Sequence, residues 1–184
     1  MLKFLKNKKA DIFFILFFII IFILSTGPMA SLADKFAKLS SMTVKSDLLL
    51  CSVISLGLLG GRKKAAFYGI IVGFIFDIFI GNPYAFSPLV FLLCGYFADP
   101  LSAPFSHRTP LSVLLVAGML LWIKSLFSFF YLIAVNTQVG VAAIIFKAVL
   151  PEYLINAVAC ALVFAVMRIL MALFRIPVSA PGQL

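Results

Sequence analysis

Long apolar runs follow one another through this sequence with only short clusters of lysine and arginine between them, and that pattern leaves few folds open. Of the 184 residues, 64% are hydrophobic and 11% charged, with a mean hydropathy of +1.21; a soluble domain is about half apolar and about a quarter charged. Water is a poor solvent for such a chain. The sequence therefore predicts an all-α integral membrane protein of about six transmembrane helices. Six spans of about 20 residues consume roughly 120 positions, so residues 1–184 read as a single polytopic membrane domain with no separate soluble unit. The net charge of +9 does not indicate nucleic acid, because the basic residues form short clusters instead of a stripe and no binding motif accompanies them.

The spans are expected at about 11–31, 47–61, 65–81, 86–103, 110–135 and 151–174. Lys3, Lys6, Lys8 and Lys9 precede the first, whose apolar core from Ile12 to Leu24 is followed by Gly27 and Pro28. A cleaved signal peptide is the alternative for this segment, since Ser31-Leu32-Ala33 has the small-residue character of a cleavage site. Asp34 to Ser46 reads as an outer loop with an amphipathic helix at the interface. The second run, Leu48 to Gly60, is short for a crossing, so a thinned bilayer, a tilt or a re-entrant path stays open. Asn82-Pro83-Tyr84 marks an outer turn, Pro104 to Pro110 an inner loop, and Val141 to Val149 an outer interfacial helix before Pro151 opens the last span. Ten cations then fall on one side (Lys3, Lys6, Lys8, Lys9, Arg62, Lys63, Lys64, Arg108, Arg168, Arg175) and four on the other (Lys35, Lys38, Lys45, Lys147), with Lys124 inside the membrane. The positive-inside rule puts both termini in the cytoplasm.

Few residues in such a chain can carry chemistry. Gly69, Gly73, Asp77 and Gly81 recur every four residues and form one smooth face of the third span, which suits close helix packing better than substrate binding. Asp77 and Lys124 are ionisable groups at helix centre, where each costs about 2.5 to 3.5 kcal/mol to insert and needs a partner or a cavity. Both lie about 18 to 20 Å from the cytoplasmic start of their spans by helical rise, so the sequence predicts that they pair. Asp99 is expected near a hydrated inner interface, Glu152 in the first turn of the last helix where its charge favours the dipole, and Asn156 in a hydrogen bond to a neighbouring helix. His107 lacks a second ligand at metal spacing. Cys51, Cys94 and Cys160 stand inside apolar runs and read as small buried hydrophobes. No nucleophile–base constellation, P-loop or metalloprotease motif is present, so no enzyme, cofactor or metal is expected. A transporter would need a polar cavity, for which Asp77, Lys124, Asn156 and Tyr96 are the candidates.

The series Ser46-Asp47-Leu48-Leu49-Leu50, Gly60-Gly61, Tyr68-Gly69 through Gly73-Phe74, Asp77, Gly81 and Gly95-Tyr96 resembles the bacterial rod shape-determining MreD family, and Pro151, Leu154 and Asn156 resemble the start of that family's last helix. The resemblance implies a non-enzymatic scaffold subunit of the cell-elongation complex in the bacterial inner membrane. It would bind MreC and connect MreB filaments to the peptidoglycan polymerase RodA and a penicillin-binding transpeptidase, with Asp47, Gly69, Gly73, Asp77, Gly81, Gly95, Tyr96, Pro151 and Asn156 as structural or partner-binding candidates, to which the intramembrane charge adds Lys124. It also implies a compact bundle similar to the substrate-binding subunits of energy-coupling factor transporters, and a vitamin-binding subunit of that kind is the alternative function. Against that alternative, the first run is uniformly bulky and offers no small-residue docking face, and Ala33 and Ala37 lie beyond Pro28.

Overall fold

A computed structural model describes residues 8–27, 47–80, 86–105, 110–135, 145 and 150–178. The expected interfacial helix at 34–46, all of that at 141–149 except residue 145, and Gly81, the 82–84 turn, His107 and Arg108 lie outside the described residues. Among those described, all regular secondary structure is helical: α1 (Lys8–Thr26), α2 (Leu48–Gly60), α3 (Arg62–Ile80), α4 (Ser87–Ser102), α5 (Pro110–Val135) and α6 (Leu150–Leu173). By length and composition, 9–26 of α1 and all of α6 could cross a membrane; α2, α4 and the Val113–Leu126 part of α5 are shorter apolar stretches.

The organising element is α2. It has no polar face, so it has no side to show to water, and a helix hydrophobic all round belongs inside a bundle. Its residues from Leu48 to Leu59 are all buried, and it packs against each of the other five helices. At about 1.5 Å per residue its 13 residues rise roughly 20 Å, well under the ~30 Å hydrocarbon core. Its brevity is that of a core helix, sheltered from lipid by its neighbours. Ser52 and Ser55 satisfy their hydroxyls inside this apolar setting by donating to the Leu48 and Cys51 carbonyls four residues back, at 2.8 and 2.7 Å.

A single residue, Gly61, joins α2 to α3, and its φ of 88° is a backbone conformation that a side chain strains against. The chain reverses there. From that point α3 runs antiparallel to α4 through small residues placed four apart. A methyl group added to Gly69 would sit 2.7 Å from the Phe91 carbonyl oxygen, one on Gly73 would sit 2.5 Å from the Pro88 Cα, and one on Gly95 would sit 2.8 Å from the Ala65 carbonyl oxygen. Ala65, Gly69 and Gly73 thus meet Gly95, Phe91 and Pro88 in reverse order, backbone against backbone. Gly95 also faces α2, where a methyl on Gly57 would lie 2.7 Å from the Gly95 carbonyl oxygen. Three helices converge at that point.

The outer helices show ordinary amphipathic spacing in apolar form. On α1, Ala10, Phe14, Phe17, Phe18 and Ile21 are buried while Ile12, Leu16, Ile19, Ile20 and Ile23 are exposed, a 3.6-residue period that separates a packed face from an apolar outer one. Phe14 and Phe18 reach Tyr68 of α3 (6.2 and 5.8 Å between ring centroids), and Phe22 reaches Phe79 (5.1 Å). The helix ends at Thr26, short of the expected boundary at 31, because residue 28 is a proline and disfavours helix in the residue before it. The Thr26 hydroxyl donates back to the Phe22 carbonyl at 2.9 Å. At the other end of the chain, α6 stops in a Schellman turn: the Ile176 amide donates to the Met171 carbonyl (2.9 Å) and the Arg175 amide to Ala172 (3.2 Å), with Arg175 at a φ of 54°. Phe174 then packs on Phe13, 5.6 Å between centroids, which brings the start of α1 and the end of α6 to one end of the bundle.

Candidate functional site

One cluster of polar groups lies where α2 and α6 begin and the middle of α5 passes. Lys124 of α5 forms ion pairs with Asp47 and with Glu152, and all three side chains are partly buried. Asp47 occupies the N-cap position of α2, yet its carboxylate makes no capping bond to that helix; it is turned to Lys124 instead. The Asp47 amide is satisfied from the side by Asn156 Oδ1, to which it donates at 2.9 Å, and the Cys51 thiol donates to the Asn156 carbonyl at 3.4 Å. Asn156 therefore holds the first turn of α2 with both its side chain and its backbone. Pro151 lies in the first turn of α6 beside Glu152, where a missing N–H costs nothing because that donor would be unpaired anyway.

Lys124 does not pair with Asp77. The two were matched on depth, which requires α3 and α5 to be neighbours; α3 packs chiefly on α4 and α2, while α5 packs on α6 and α4. Asp77 is buried, and its Oδ2 accepts the backbone N–H of Ser87, the first residue of α4, at 3.2 Å. An acceptor supplied by the preceding helix thus serves one of the orphan donors at the α4 N-terminus, where a negative charge also suits the helix dipole. Asp99, expected near a hydrated interface, is buried, with 1% of its surface exposed. Tyr96 lies elsewhere again, with the Arg62 guanidinium 5.5 Å from its ring centroid and Phe97 edge-on beside it.

The four residues proposed from sequence for a polar cavity therefore separate into three settings: Lys124 and Asn156 join the Asp47–Glu152 cluster, Asp77 caps α4, and Tyr96 pairs with Arg62. Gly69, Gly73 and Gly95 are contact points between helices. Two partners escaped the sequence reading. Glu152 and Asp47 stand at the starts of helices entering from the same end, which was a usable signal, but only the packing shows that α5 carries Lys124 to their level. A second ion pair, Lys64 to Asp11 at 3.2 Å, ties α3 to α1 with the Lys64 ammonium 5.8 Å from the Phe14 ring centroid. Cys51, Cys94 and Cys160 are free and buried.

One lysine between two carboxylates, with an asparagine anchoring the adjacent helix start, is an arrangement that fixes helices relative to one another. It joins three elements and leaves one formal negative charge. Among the described residues no group of three or more His, Cys, Asp or Glu side chains could hold a metal ion. A cavity of about 170 Å³ lies between α5 and α6, lined by Val113, Ala161, Phe164, Ala165, Arg168 and Ile169. Small-molecule sites occupy about 300 to 1,000 Å³, and this groove is smaller than that range.

A family model described as rod shape-determining protein MreD matches residues 9–174. No curated protein and no solved structure matches the chain. The comparisons give the vitamin-transporter alternative no support.

Proposed function

The chain belongs to the MreD family of rod shape-determining proteins, and on that premise we propose that it is a non-catalytic scaffold of the cell-elongation complex, binding MreC and linking MreB filaments to RodA and its transpeptidase. The observation that carries this reading is the match across nearly the whole chain, from α1 to the end of α6. The interior supports it. Charged side chains are spent on holding helices together, through Asp47–Lys124–Glu152 and Asp11–Lys64, while apolar faces of α1, α3 and α6 point outward, available to lipid and to partner helices.

In this reading all six helices belong to one membrane bundle with both termini in the cytoplasm. The contact between Phe13 and Phe174 favours that orientation, since it brings the flanks of the two terminal helices together, and the excess of lysine and arginine at that end agrees with it. The short α2 crosses inside a ring of helices, so its length need not match the lipid.

Capture of the tagged protein from membranes in mild detergent is expected to bring down MreC. Depletion in a rod-shaped host without a second copy is expected to give round cells. Retention of rod shape on depletion, or capture without MreC under conditions that preserve other membrane complexes, would overturn the reading.

A further inference from the structure

Several cations of the bundle are engaged within the protein: Lys64 pairs with Asp11, Lys124 with Asp47 and Glu152, Arg62 lies against Tyr96, and Arg168 interacts inside the chain. Lys9, Lys63 and Arg175 are exposed, and among the described residues their side chains meet neither a carboxylate nor a ring. The fold brings two of these three together. Lys9 stands one turn before Phe13 on the same face of α1, Arg175 follows Phe174, and the two rings are 5.6 Å apart. The seam between α1 and α6 therefore carries a pair of uncommitted cations at one end, the end that the proposed orientation turns to the cytoplasm. Arg175 holds its place in a left-handed turn, with a φ of 54°, and backbone strain of this kind concentrates where a side chain has a task.

An apolar stripe leads from these cations toward the middle of the bundle. On α1, Lys9, Phe13, Leu16 and Ile20 share one helical face, and Leu16 and Ile20 are 55 and 56% exposed. On α6, Val166 and Leu173 lie before the Arg175 turn and are 49 and 73% exposed. From Lys9 to Ile20 the helix rises about 16 Å, close to half of the ~30 Å hydrocarbon core, so the stripe is one leaflet long. We propose that the seam between α1 and α6 binds one anionic phospholipid, its phosphate between Lys9 and Arg175 and its chains along Phe13, Leu16 and Ile20 of α1 and Val166 and Leu173 of α6. An acidic peptide would answer the two charges and leave the stripe bare. A zwitterionic lipid would cover the stripe and bring a cation of its own to Lys9 and Arg175. An anionic lipid satisfies both, and the planar guanidinium fork suits a phosphate. The inference rests on the membrane setting and orientation but not on the scaffold role, so failure to capture MreC would leave it standing.

Native mass spectrometry of the full-length protein in mild detergent, titrated with phosphatidylglycerol or with phosphatidylcholine of the same acyl chains, tests it. Wild type is expected to retain one phosphatidylglycerol in preference to phosphatidylcholine. Lys9→Gln and Arg175→Gln are each expected to weaken phosphatidylglycerol about fivefold, the worth of one basic residue at an anionic surface, and to leave phosphatidylcholine unchanged; the double variant is expected to show no preference. Lys63→Gln is expected to keep wild-type selectivity, because Lys63 stands on α3, where Lys64 takes the side toward α1. Short-chain phosphatidylglycerol is expected to compete poorly, since it leaves most of the stripe uncovered. Equal retention of the two lipids by wild type, unchanged selectivity in the double variant, an equal loss in Lys63→Gln, or displacement of the lipid by millimolar inorganic phosphate or by polyglutamate would each overturn the proposal. Because Lys9 and Arg175 are exposed, their variants are expected to keep the wild-type melting temperature, so a lipid effect is separable from misfolding.

Discussion

Lys124 shows how one side chain is held by its partners and not by its own helix. Its ammonium lies between Asp47 and Glu152, so removing it leaves two partly buried carboxylates facing each other without a counter-ion. Lys124→Met is expected to cost about 3 to 5 kcal/mol, the usual penalty for breaking one side of a buried pair, with much of it recovered when Asp47→Asn and Glu152→Gln are added. Thermal unfolding in detergent is the measurement, and an unchanged midpoint in the single variant would remove the cluster from the list of structural supports. Arg175 presents the opposite case, a residue in a conformation that favours glycine. Arg175→Gly is expected to stabilise the protein by about 1 kcal/mol, because the left-handed geometry burdens a side chain by that order; the same melting experiment reads it.

Helix pairs in this bundle associate without the drive that water would supply, since lipid tails are as apolar as leucine, and close packing has to substitute for it. The α3–α4 contact is built for this. Gly69 and Gly73 let the two backbones touch, and whatever replaces them meets main-chain atoms that cannot move aside. Gly69→Val or Gly73→Val is therefore expected to cost about 1 to 3 kcal/mol or more by forcing the helices apart. Gly60→Ala is expected to be milder, because its nearest obstacle is the flexible end of Leu56 at 2.7 Å. Protease sensitivity of the α3–α4 connection should separate the two classes, and an equal response from Gly60 and Gly73 would refute the packing account. The aspartate in the same series has a different task, since Asp77 serves the start of α4, and Asp77→Asn should be tolerated better than Asp77→Leu.

For the molecule as a whole, the expected readout is proximity. Cysteines replacing Phe13 and Phe174, in a background lacking Cys51, Cys94 and Cys160, should cross-link, while cysteines at Asp77 and Lys124 should not; the reverse pattern would mean that the helices are arranged otherwise. The order of helices was legible in the sequence, because apolar runs separated by Gly60-Gly61, Pro28 and basic clusters can do little else but form helices that avoid water. So was the smooth face of α3, since a four-residue glycine period needs no knowledge of the partner. The partner itself was not legible. Hydrophobicity records that a residue leaves water, but in a chain where nearly every residue does so it cannot distinguish the face that meets a helix from the face that meets lipid. That is why depth matched Lys124 with Asp77, whereas the packing of α5 on α6 beside the first turn of α2 gave it Asp47 and Glu152. Composition and spacing by themselves determined an all-helical chain for an apolar solvent; only the tertiary structure decided which helix became the buried centre and which charges met, because adjacency depends on side-chain shape across helices that are distant in sequence.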